Sequence, residues 1–137
     1  VQGGLIRVVL FRLGDRGTVI FGLVLDAFSA ALIAVVASGT LALILTPIAA
    51  LGAVVVPALQ GIMSRRAPDD AQGELQGVLT SVNALAMILS PLMMTASFAA
   101  FTAETAPVYL PGAPFLLAAV LLVAALALFL RARSSVT

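Results

Sequence analysis

Long apolar runs separated by short polar breaks set the pattern of this chain. An apolar stub carrying Arg7 ends in the polar stretch RLGDRG at residues 12–17. Apolar residues then fill 18–37, the turn SGT follows, and a second run covers 41–63 with Pro47 and Pro57 inside it. The polar segment SRRAPDDAQGE, residues 64–74, leads to a third run at 75–101 that contains Pro91. A longer loop, TAETAPVYLPGAP at 102–114, precedes a fourth run at 115–130 and the tail RARSSVT. About 20 helical residues, rising about 1.5 Å each, cross the roughly 30 Å of hydrocarbon in a bilayer. The pattern therefore predicts an all-α membrane protein with four spans, preceded by the end of another helix.

Composition strengthens that reading. Of 137 residues, 62% are hydrophobic and 9% charged, against about half and about a quarter in a soluble domain. Cysteine and histidine are both missing from the sequence. That removes disulfides, thiolate nucleophiles and the commonest general base and metal ligand. The chain opens VQGGLIRVVL without Met or a signal-peptide pattern, so it reads as the C-terminal part of something longer.

The charges add an orientation. Every basic residue is Arg: Arg7, Arg12 and Arg16 flank the first break, Arg65 and Arg66 lie in the middle loop, and Arg131 and Arg133 lie at the C-terminal end. The alternate loops, 38–40 and 102–114, carry none. The positive-inside rule places the arginine-bearing segments and the C-terminus in the cytoplasm. Tyr109 in the long outer loop suits an interfacial aromatic. Asp69, with Gln72 three residues on, has the spacing of a helix N-cap and its reciprocal partner.

One acid departs from the pattern. Asp26 lies about nine residues into the first full span, in FGLVLDAFSAAL. An ionised Asp near a membrane helix centre costs about 2.5–3.5 kcal/mol. Arg16, the nearest cation in sequence, is roughly 15 Å away along a helix. At about 100° per residue, Gly22, Ser29, Ala30 and Ile33 share the face of Asp26, while Phe21, Val24, Phe28 and Val35 lie opposite. Small residues mark helix contacts in membranes and bulky apolar ones mark lipid. Asp26 is thus expected to face a bundle interior or a wet cavity, where desolvation penalises its charged form. A carboxyl there can bind a proton from one side and release it to the other; the bland alternative is a structural acid bonded to a neighbouring helix.

On the third run, Gln76, Thr80, Asn83, Met87 and Ser90 share one helical stripe. It reads either as interhelical hydrogen bonding or as a substrate-lining face, with Asn83 the residue at issue. Enzyme chemistry is not expected. No His base accompanies a serine, and Asp26 has no second acid within a span, as an intramembrane aspartyl protease would need. Nothing resembles a nucleic-acid platform, and neither a cofactor nor a protein-held metal is expected.

The segment PALQGIMSRRAPDDAQGELQGVLTS, residues 57–81, closely resembles the link between the tenth and eleventh helices of the tetracycline/proton antiporters of the major facilitator superfamily. FRLGDRG resembles that family's turn before the ninth helix, and FGLVLDAF has its ninth-helix Gly and acid. The resemblance implies the end of helix eight plus helices nine to twelve of a twelve-helix exporter in the bacterial inner membrane. The missing N-terminal half would be its structural partner. It also implies exchange of a cytoplasmic tetracycline–divalent metal chelate for a proton, the cation being part of the cargo. By position, Asp26 matches the acid used in proton coupling and substrate translocation, and Gln60 the tenth-helix glutamine near the cytoplasmic end; Gln60, and Asn83 from the stripe above, are the candidates to line a substrate path. Arg12, Asp15 and Arg16 would serve cytoplasmic gating, although the superfamily's loop pattern is only partly kept here. Ser90 stands where Gly is common in that family. A multidrug or other exporter of the superfamily, or a non-transporting membrane scaffold, are the alternatives.

Overall fold

A computed structural model describes residues 2–36, 43, 47, 50 and 52–132, with side chains described from residue 13 onward. Among the described residues there are four α-helices: α1 (Gln2–Val35), α2 (Val55–Arg66), α3 (Gln72–Thr102) and α4 (Ala113–Arg131). A 3-10 turn, Asp69–Ala71, introduces α3. Among the described residues, three stretches are long and apolar enough to cross a membrane: Leu13–Val35, Asp69–Thr102 and Ala113–Arg131.

The expected stub and first span form one helical run broken at Gly14, where φ is 65° and ψ is 174°. That backbone region is essentially restricted to glycine, because a Cβ would collide with the chain. The polar stretch at 12–17 is therefore a sharp kink and not a loop. Buried Thr18 donates its hydroxyl to the Gly14 carbonyl at 2.8 Å, which ties the start of the second helical segment to the kink.

Of the second expected span, 41–63, only the C-terminal part is seen as α2. The preceding turn at 38–40 and most of 41–51 lie outside the described residues, as does the tail at 133–137. Pro57 sits in the first turn of α2, where backbone N–H groups have no intrahelical partner and its missing donor costs nothing. The helix runs to Arg66, past the expected end. There the Ala67 N–H bonds the Met63 carbonyl and Pro68 stops the run.

The expected N-cap by Asp69 does not form. No side chain among the described residues caps the 3-10 turn or α3 at this point, because Gln72 turns back toward α2 instead. Its amide donates to the carbonyls of Ser64 and Ala67 at 2.8 and 3.1 Å, and its side-chain oxygen accepts from the Ser64 hydroxyl at 3.1 Å. Satisfying two carbonyls at the end of α2 outcompetes the local cap.

The bundle is organised around α1, which packs against both α4 and α2, while α4 also contacts α3. Val19 and Leu23 of α1 meet Val55 and Ala58 of α2, with Leu59, Ile62, Leu122, Leu126 and Phe129 around them. Helix α3 has no buried residue, and Val82, Leu85, Ile88 and Leu92 are all exposed. After α3, the Leu110 N–H bonds the Phe101 carbonyl at 3.0 Å and closes the loop back on the helix end. Gly112 then lies against the Ala34 carbonyl and starts α4 beside the far end of α1.

Candidate functional site

Charged candidate residues lie at two separate places among the described residues. Where α1 passes the segment just before α2, the Asp26 carboxyl occupies the volume in which Gly52 would carry a Cβ. Four residues earlier on α1, a Cβ on Gly22 would collide with Val55 and come within 3.3 Å of Val54 and 3.4 Å of the Gly52 carbonyl oxygen. A glycine on each of the two segments thus permits backbones and acid to share a space too small for ordinary side chains. Asp26 is half-buried and, among the described residues, its carboxyl forms no ion pair or hydrogen bond.

The burial pattern around the acid follows the helix geometry. Gly22 and Ser29 are buried and Ala30 and Ile33 half-buried, whereas Phe21, Val24, Phe28 and Val35 are exposed. Ser29, one turn beyond Asp26, has 1% exposure, and its hydroxyl finds no partner among the described residues. A polar oxygen left unpaired in an apolar interior is uncommon and costly. The face of α1 around Asp26 is therefore built from small and polar groups, and its lipid-type face from large apolar ones.

The second place is the other end of the bundle. Directly after the Gly14 kink, Asp15 pairs with Arg65 in the last turn of α2. Fifty residues of chain separate the two. Leu13, Gly14, Arg16, Ile62 and Arg66 surround this pair in a shallow cleft. Arg16 is exposed beside it. The backbone of Arg12 lies in α1 just before the kink, and its side chain lies outside the described residues.

The remaining sequence candidates are not gathered at either place. Gln60 on α2 and Asn83 on α3 are both exposed, and so are Gln76, Thr80, Met87 and Ser90 of the stripe. Two participants were not singled out by sequence reasoning. Gly52 has no local signal, since its importance is the acid that enters its space from another helix. Arg65 had a signal, a cation at a helix C-terminus, but its partner is remote in sequence.

These features describe a membrane-spanning all-α bundle with one acid at a glycine-lined helix crossing and an ion pair at one end. The chain is homologous to a portion of the tetracycline resistance proteins. It is 38% identical over 89 residues to the class C protein of Escherichia coli, covering 65% of this chain and 22% of that protein. With the class E protein of Escherichia coli it shares 36% identity over 104 residues, 76% of this chain and 25% of the relative. The class H protein of Pasteurella multocida is 31% identical over 108 residues, 79% and 26% respectively. This chain thus spans about a quarter of the length of these relatives. No family profile matches the chain, and no solved structure matches it.

Proposed function

We propose that this chain is the C-terminal portion of a proton-coupled drug exporter of the bacterial inner membrane, with tetracycline, carried as a divalent-metal chelate, as its substrate. The observation that carries the reading is Asp26: an acid within a membrane-length helix, half-buried at a helix crossing, with no counter-charge among the described residues. Its homology to tetracycline resistance proteins supports the choice of drug.

In this reading Asp26 is the proton-binding group of the C-terminal half. Its neutral form suits the apolar closed site, and its charged form suits the site when open to water. Alternating access couples that change of surroundings to movement of drug, through binding near the bilayer midplane where the two halves meet. The exposed polar stripe on α3, with Asn83, and Gln60 on α2 are read as facing that second half and the substrate path. The Asp15–Arg65 pair is read as a latch at the cytoplasmic end, with Arg12 and Arg16 beside it. The drug itself undergoes no covalent change in this function.

The test is drug accumulation in cells expressing the complete gene, with and without an uncoupler of the proton gradient, for the parent and Asp26→Asn. Uncoupler-sensitive export of tetracycline by the parent, lost in Asp26→Asn at equal membrane abundance, is the expected result. Undiminished coupled export by Asp26→Asn would overturn the reading. Export of chemically unrelated drugs by the parent would move it to a multidrug exporter.

A further inference from the structure

Resting on the transport reading of Asp26, we propose that Gly52 is the positioning residue for its carboxyl: the acid is held in its working place because the facing helix presents bare backbone there. Both carboxyl oxygens and their carbon lie within the volume around a Cβ built at residue 52. Among the described residues no hydrogen bond or ion pair holds the carboxyl, and its close approach is to residue 52.

The reciprocal contact makes the location specific. Gly22 of α1 meets Val54, Val55 and the Gly52 carbonyl, so the two helices approach backbone to backbone beside the acid. The carboxyl therefore lies where Gly52 has no side chain. A methyl at residue 52 cannot coexist with the carboxyl where it stands. Either the side chain of Asp26 rotates away or the two helices separate, and both displace the proton-binding group from the helix crossing. Displacing a reacting group by about 1 Å can cost about 10²-fold in rate.

The complete gene is expressed as parent, Asp26→Asn, Gly52→Ala and the double variant Asp26→Ala/Gly52→Ala. Proton-driven tetracycline export per molecule in membrane vesicles, its pH profile, and the amount and thermal stability of detergent-extracted protein are measured. Gly52→Ala is expected to export at least roughly tenfold more slowly per molecule, with an altered pH profile. The double variant is expected to be more stable than Gly52→Ala, because removing the carboxyl vacates the space its methyl needs. Parental export and pH profile in Gly52→Ala, alongside loss in Asp26→Asn, would overturn the positioning role and leave the transport reading standing. Coupled export by Asp26→Asn would instead remove the reading itself and the positioning role with it. Should Gly52→Ala fail to accumulate, recovery of folded protein in the double variant supports the shared space, and no recovery overturns it.

Discussion

Arg65, in the last turn of α2, is paired with Asp15, the residue that follows the Gly14 kink in α1. The pair joins two polar segments that are separated by a full crossing and return of the membrane in the expected topology. Both side chains remain partly open to solvent, with relative exposures of 61% and 38%. A pair of this kind contributes about 0.2–1 kcal/mol to stability, less at high salt. Its importance is expected in rate and not in folding. Arg65→Asp should slow drug export while the protein remains abundant. The exchange Asp15→Arg/Arg65→Asp should restore part of the loss, and vesicle transport with immunoblotting reads both. No restoration by the exchange would show that the two residues act independently.

Gly14 makes a different prediction, about stability. With φ at 65° and ψ at 174°, an alanine there adopts a sparsely populated conformation that costs of order 1–3 kcal/mol. Gly14→Ala should lower the melting temperature of the extracted protein. Asn, which tolerates the ordinary left-handed region, should not rescue it, because this ψ lies outside that region.

Gln72 ties the end of α2 to the start of α3 through three hydrogen bonds. At about 0.5–1.5 kcal/mol net for each bond, Gln72→Ala should loosen the segment between Arg66 and Gln72. Limited proteolysis is expected to cut faster between residues 66 and 72, with little effect at the loop between α3 and α4. Equal protection in parent and variant would assign the ordering of this loop to its backbone alone.

Orientation is directly measurable because the sequence contains no cysteine. Single cysteines at Asp70 and Thr105, both in exposed segments, provide reporters on the two sides. A membrane-impermeant maleimide applied to intact cells with a permeabilised outer membrane should label the residue 105 variant. The residue 70 variant should react only after the inner membrane is opened. The reverse result would invert the arrangement inferred from the arginines.

Asp26→Glu tests room as well as charge. The longer side chain keeps a carboxyl, but the space ahead of it is already closed by the backbone at Gly52. Glutamate should therefore transport more slowly than the parent, and in the same assay exceed Asp26→Asn. Transport equal to the parent would show that the site has slack the structure does not contain.

The elements and their faces were legible in the amino-acid order alone. Hydropathy marked the runs that became α1, α3 and α4, since apolar length is a property of the local chain. The same holds for the contrast between Gly22 or Ser29 and Phe21 or Phe28, because helical periodicity alone places them on opposite sides. The kink at Gly14 was visible as a polar break, but its form was not. A loop and a single glycine conformer have the same composition. The contacts between segments emerge only in the folded chain: Asp26 with Gly52, Asp15 with Arg65, and Gln72 with the end of α2. The first two depend on how far α1 slides and turns against its neighbour, which the fit of Val19, Leu23, Val55 and Ala58 in the shared core fixes, and the third on how the chain folds back after Arg66. No local propensity encodes that fit. It is a property of two surfaces meeting, so it exists only once the chain has folded.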